Sequence, residues 1–171
     1  MVDLLISEVC EMAIEEYARS KSWADSAQRN ARVITDIFIT ENGDLPMSAI
    51  TRQHLLNIDA RLKKLPKVWG KSREDRTGGL KHVFGRGEVL AAAWAADQIK
   101  AEQDGIDKVG MKAGTYNRHI NTLKQVLDFV DIIAEINKGR SYVIPNVSFA
   151  RLKAADDRPK NKRKPVRQLY T

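Results

Sequence analysis

The chain reads as an all-α protein of about five helices, and three observations carry that reading. Apolar residues recur at three- and four-residue spacing in successive segments, most clearly at Tyr116, Ile120, Leu123, Leu127, Val130 and Ala134. Turn signals such as Asn42-Gly43 and Gly105 separate these segments. The two-residue alternation of a half-buried strand is nowhere sustained, and there is no internal repeat or heptad run.

In chain order, a first helix runs from about Ser7, a fitting N-cap, to Arg19, with Ile6, Val9, Cys10, Ala13 and Tyr17 turned inward. A second runs from about Asp25 to Thr40. Ala27, Ile34, Ile37 and Phe38 form its core side, while Arg29, Arg32 and Asp36 share another face. Glu41-Asn-Gly-Asp44 ends it, because Asn-Gly supplies the positive-φ residues of a tight reversal. Ser48 or Thr51 opens a third helix, which carries Leu55, Leu56, Ile58 and Leu62 and stops before Pro66. Residues 66–86 hold four of the ten glycines and read as a long basic connection. A fourth helix covers about Gly87 to Asp104, closed by Gly105, and a fifth about Ala113 to Asn137, closed by Gly139. Tyr142 to Ile144 fits a short extended piece, and a short helix is expected near Ser148 to Lys153. The pattern divides into one helical domain, 1–157, and a basic linker, 158–171.

Composition narrows the class. With 171 residues, 43% apolar, the chain can bury one ordinary core. Its longest small-apolar run, Val89 to Ala96, is far short of the ~18–20 residues that span a membrane, and the start lacks the basic region and cleavage site of a leader. The single cysteine, Cys10, excludes an internal disulfide and suits a reducing cytoplasm.

The net charge of +7 is unevenly spread. Residues 61–86 carry 9 basic and 2 acidic groups, and residues 151–171 carry 8 and 2, whereas residues 1–60 carry 5 and 10. Basic segments of this kind track phosphates or simply solubilise a surface. The fifth helix sharpens the choice. Opposite its apolar stripe lie Asn117, Arg118, Asn121, Lys124 and Gln125, and no carboxylate occurs from Met111 to Leu127. A helix apolar on one side and rich in donors without negative charge on the other is built to lie against a polyanion, most simply a nucleic-acid backbone.

Catalytic and metal motifs fail on inspection. Gly70-Lys71-Ser72 mimics the end of a phosphate-binding loop, but Leu65 stands where its first glycine belongs. Gly85-Arg-Gly87 lacks the third glycine of a dinucleotide fingerprint, with Leu90 in its place. His54, His82 and His119 sit on separate elements without a second ligand at i+3 or i+4, so no metal site is expected, and His119 reads as packed at the border of the stripe. Cys10 has no histidine near it to activate it. No cofactor and no catalytic residue is expected. Trp23, Phe38, Trp94, Tyr116 and Phe129 read as core, and Trp69 as a satellite core under the basic loop.

Four blocks in order carry a family resemblance. They are Tyr17 to Trp23 leading into Ser26-Ala-Gln-Arg-Asn-Ala-Arg-Val-Ile; Phe38 to Thr51 with its Gly43-Asp-Leu-Pro46; Thr115-Tyr-Asn-Arg-His-Ile-Asn-Thr-Leu-Lys124; and Val143-Ile-Pro-Asn146 running into a basic linker. Over residues 5–168 the pattern resembles the N-terminal core-binding domain of the tyrosine recombinase (phage integrase) family. The position three residues before Thr115, usually a capping Ser in that family, is Lys112 here. The resemblance implies a small orthogonal, SAM-like helical bundle, bacterial or phage-encoded, forming one jaw of a clamp around double-stranded DNA. It further implies a catalytic domain of the same parent polypeptide as the other jaw, and recombinase oligomers on DNA. The catalytic Arg, Lys, His and Tyr constellation of that second domain is not found in this sequence.

On this reading Thr115, Asn117, Arg118, Asn121 and Lys124, with Lys112 at the helix start, meet phosphates or base edges. Arg29 and Arg32 form a second group from the second helix. Lys162, Arg163, Lys164 and Arg167 track the backbone along the linker. A stand-alone nucleic-acid-binding or regulatory protein, and a helical protein–protein module, are the alternatives.

Overall fold

The computed structural model describes residues 1–154, and among them six α-helices and no strand. Helices α1 (Ile6–Arg19), α2 (Asp25–Asn42), α3 (Arg52–Leu62) and α6 (Ala113–Ile136) make the bundle, while α4 (Arg73–Ala96) and α5 (Gln98–Gln103) form a flanking pair. α2 is central, packing on α1, α3 and α6, and α1 also packs on α6. Ile6, Val9, Ile34, Ile37, Phe38, Ile58, Leu62, Leu123, Val126 and Val130 are fully buried where these helices meet. Each side chain of that size stabilises the fold by about 1.5–3 kcal/mol through loss of apolar surface from water.

The helix starts follow local polar chemistry. α1 begins at Ile6, where the Glu8 carboxylate accepts the Leu5 N–H at 2.9 Å. Ser7, expected to cap it, lies instead inside the first turn. Its N–H and hydroxyl both donate to Asp44, at 3.1 and 2.6 Å, which fixes the start of α1 to the end of α2. α2 stops at Gly43, whose φ of 94° a side chain rarely adopts, as Asn-Gly predicts. α3 starts after Thr51, whose backbone N–H is accepted by His54 Nδ1 at 3.0 Å. Ser48 falls in a 3-10 turn over Met47–Ala49. Leu55, Ile58 and Leu62 are buried, but Leu56 is 39% exposed and belongs to the outer face.

The largest correction concerns residues 66–86, expected as a loop. From Arg73 onward they are helical, and α4 runs through to Ala96 with a kink at Gly79 (φ 67°, ψ −163°). Ser72 caps α4 by accepting the Asp75 N–H at 3.1 Å. The Asp75 carboxylate is then buried, accepting from the Arg86 guanidinium at 2.6 and 3.3 Å and from the Gly70 N–H at 3.0 Å, with His82 Nε2 3.5 Å away. Hydrogen bonding to Arg86, the leading cause, together with Gly70 and the nearby charges, holds this carboxyl below its ordinary range despite burial. Gly87 lets α4 cross the 63–66 connection closely, since a Cβ there would lie 2.0 Å from the Lys64 carbonyl oxygen. The expected fourth helix over 87–104 is therefore the second half of α4 plus α5. Asp97 (φ −160°, ψ 101°) separates the two and caps α5 through the Lys100 N–H at 3.1 Å.

Much of the positive charge in this region is consumed internally. Arg61 pairs with Glu41 at 2.8 Å and Glu88 at 3.1 Å and stacks on Phe84, its guanidinium 4.4 Å from the ring centre. Lys63 pairs with Asp59, and Lys64 with Glu88.

After α6 the chain forms a strap without regular helix, so the helix expected near Ser148 to Lys153 is not formed. Tyr142 bridges in parallel to Val2, through Val2 N–H to the Ser141 carbonyl at 2.8 Å and Val143 N–H to the Val2 carbonyl at 2.9 Å, as an extended piece would. Arg52 donates to the carbonyls of Ser148 at 2.7 Å and Ala150 at 2.8 Å. These carbonyls are satisfied by a side chain from another helix, so they need no helical partners. Trp69 packs at the edge of the core as a half-buried satellite, and Tyr17, Trp23 and Phe129 form one aromatic cluster.

Candidate nucleic-acid interface

α6 has a wider buried side than its stripe alone indicates. Tyr116, His119, Ile120, Thr122, Leu123, Val126, Leu127, Phe129, Val130 and Ile133 all face the bundle. What remains outside in the first half is Arg118, Asn121, Lys124 and Gln125, all exposed. At 3.6 residues per turn, Arg118 and Lys124 lie about 120° apart around the axis, with Asn121 and Gln125 between them. The second half presents Asp128, Asp131 and Glu135 on its exposed surface instead. The outer side of α6 therefore changes sign along its length.

One flank of the cationic half joins α2. Arg118, His119 and Thr122 of α6 share a groove with Ser26, Ala27, Arg29, Asn30 and Val33 of α2. Asn30 Nδ2 donates to the Thr122 hydroxyl at 2.8 Å across the groove floor, fixing the two helices in register. Arg29 and Arg118, expected on separate elements, thus line one groove. Among the described residues neither has an ion-pair partner. His119 is 8% exposed, and its Nδ1 has no hydrogen-bond partner among the described residues. Burial, assisted by the adjacent Arg118, pushes its pKa down to about 4, so at neutral pH it is an uncharged packed ring, as its border position suggests.

The other flank faces the strap, where Lys124, Leu127 and Asp128 line a groove with Pro145, Val147, Phe149 and Ala150. Asn117, expected to reach a base or phosphate, is engaged here. Its Nδ2 donates to the Ala154 carbonyl at 3.0 Å, and its Oδ1 accepts the Ala154 N–H at 2.8 Å. Both halves of the amide are used on the chain's own backbone, which overturns its assignment as a free contact. Arg32 is corrected likewise: it turns toward α1 and pairs with Glu11 at 3.2 Å, an exposed pair that contributes little to stability but directs the side chain away from the groove. Thr115 is half-buried, and Lys112 is exposed at the helix start, where no side chain caps α6. Lys162, Arg163, Lys164 and Arg167 lie outside the described residues.

Sequence reasoning missed three contributors. Ser72-x-x-Asp75 is a capping signal that could have placed the start of α4. Arg52 and Asn30 gave no signal, because their partners lie 96 and 92 residues away. No cluster of three or more His, Cys, Asp or Glu suited to a metal occurs among the described residues, and no described helix is long and apolar enough to cross a membrane. Comparison with protein-family models, curated proteins and solved structures found no match for this chain.

Proposed function

We propose that this chain is a double-stranded-DNA-binding helical domain of the tyrosine recombinase type, which grips DNA for a catalytic domain of the same parent polypeptide. The observation that carries the reading is the outer face of the first half of α6, which is free of carboxylates until Asp128, one turn beyond Lys124. Arg118, Asn121, Lys124 and Gln125 on α6 are exposed, Arg29 of α2 borders the same groove as Arg118, and the carboxylates of α6 are confined to its other half. In this reading Arg29, Arg118 and Lys124 neutralise phosphates, Asn121 and Gln125 between them supply donors and acceptors for a groove edge, and Lys112 extends the cationic strip. The linker cations Lys162, Arg163, Lys164 and Arg167 continue the backbone contact. The domain itself performs no chemistry, acts in the cytoplasm, and functions within a recombinase oligomer assembled on its site.

The test is a salt titration of duplex binding. If about six phosphates are neutralised, log K falls with log salt at a slope near −5. Arg118→Ala with Lys124→Ala weakens binding and reduces the slope by about 2, whereas Asp131→Ala with Glu135→Ala does not weaken it. An unchanged slope in the first pair removes α6 from the interface. A helical protein-docking role is the second reading. It is favoured by the groove that Met12, Phe129, Ile133 and Ile136 form between α1 and α6, rimmed by Glu15 and Glu16. Absence of any duplex shift at low salt selects it.

A further inference from the structure

The groove between α2 and α6 has no carboxylate in its lining, whereas Asp128 forms part of the wall of the groove on the strap side of α6. Arg29 and Arg118 reach it from the two helices, both exposed and neither ion-paired among the described residues. The groove also receives the start of α2. Ala24, the N-cap, has no capping side chain, and the first bond of the ladder runs from Gln28 N–H to the Ala24 carbonyl at 3.1 Å. The amides of Asp25, Ser26 and Ala27 therefore precede the ladder. Ser26 and Ala27 line the groove, and Ser26 adds a hydroxyl, while Asp25, the acid of that turn, is not in the lining. An 18-residue helix presents the equivalent of about half a positive charge at such an end.

The floor is tied by the 2.8 Å bond from Asn30 to Thr122, which sets the separation of the two helices and with it that of the two arginines. In the wall beside it His119, 8% exposed, keeps a buried Nδ1 with no hydrogen-bond partner among the described residues. Buried nitrogens of this kind ordinarily bond to protein, water or an ion, so an unpaired one marks a wall that accepts a further polar group.

We propose that this groove is a built phosphate site, seating a single phosphate group between Arg29 and Arg118 over the Ser26 hydroxyl and the first-turn amides of α2. The inference rests on the DNA-binding reading and deepens it, because the two arginines hold one phosphate jointly instead of two separately. Each guanidinium forks two N–H donors onto the oxygens of a phosphate, and the helix start approaches the same group from a third side. Lys124 lines the other groove and serves a different phosphate.

The full chain tests this in two steps. Inorganic phosphate, exchanged for chloride at constant ionic strength, should shift the Ser26 and Ala27 amide signals and the Arg29 and Arg118 side-chain signals in NMR along one saturable curve. Arg118→Ala should abolish saturation, Arg29→Lys, which keeps the charge but loses the fork, should weaken it, and Lys124→Ala should leave it intact. Shifts that do not saturate, or that survive Arg118→Ala, overturn the site and leave the DNA reading standing. In duplex salt titrations, Arg29→Ala with Arg118→Ala should reduce the slope of log K against log salt by about 1, since one phosphate is lost. A reduction of about 2 means separate phosphates and overturns joint capture. Duplex should also displace inorganic phosphate from the groove, which identifies the ligand as a backbone diester. Saturable capture that duplex fails to displace, or that occurs in a chain binding no duplex, makes the ligand a free phosphate ester; the site then stands and the DNA reading of this groove falls.

Discussion

α4 and α6 are both 24 residues long, yet they are made in opposite ways. α6 buries eleven residues against α1 and α2, and its length is specified by where apolar side chains fall. α4 buries only Asp75, Val83, Phe84 and Gly87, is kinked at Gly79, and leaves Val89 70% exposed. What holds α4 lies between its start and Gly87: a serine cap, a buried carboxylate held by Arg86 and Gly70, the buried Val83 and Phe84, and a glycine crossing. Packing thus makes α6 part of the global fold, while anchoring makes α4 an appendage whose stability depends on a few charged contacts. The candidate interface is on the helix that cannot move independently.

The contrast can be broken from the α6 side first. Leu123→Ala should cost about 3–4 kcal/mol and shift the whole urea transition, since Leu123 is fully buried between helices. A local loss confined to α6 would contradict its place in the cooperative core. Acid should then separate the two helices. The folded pKa of His119 lies near 4, below the ordinary 6.5, so the neutral ring stabilises the fold above 6.5 and that contribution is lost as pH falls from 6.5 toward 4. The expected loss is at most about 3 kcal/mol, and His119→Leu should flatten this part of a stability–pH profile. Asp75 is also depressed, so its contribution persists through that window and is lost only below the ordinary carboxylate range. Acid loosens the α6 side before it reaches α4.

On the α4 side, Asp75→Asn should cost about 2 kcal/mol, because it leaves the Arg86 charge without its partner. Exchange should quicken from Arg76 to Lys81 while α6 amides stay slow; equal quickening of both would make α4 part of the core. The smallest effect is expected at the kink. Gly79→Ala forces a side chain into positive φ and should cost about 1 kcal/mol, read as a shift in thermal midpoint with duplex binding unchanged.

The same contrast explains what could be read from the residues. α6 was legible to within a residue at its end, because Tyr116, Ile120, Leu123, Leu127 and Val130 repeat with the helical period and nothing competes. α4 was not, because Gly70, Gly78, Gly79 and Gly85 speak for a loop, and the contacts that overrule them converge on one buried aspartate. At the candidate interface, the exposure of Arg118, Asn121 and Lys124 follows from angular position alone. The engagement of Asn117 and Arg32 does not, since their partners sit 37 and 21 residues away in sequence. The strap defeated the helix expected at 148–153 for a related reason: its carbonyls are claimed by Arg52, which no local pattern announces.

Cys10, the sole thiol, is sealed between α1 and α2 at 2% exposure, and burial raises its pKa. Maleimide and spin-label reagents, which attack thiolates, will therefore pass it over in the folded protein. A cysteine placed at Gln125 or Lys153 becomes a unique attachment point without deleting the native one. Paired probes at those sites can follow the strap against α6 by fluorescence or electron resonance, in the otherwise natural sequence.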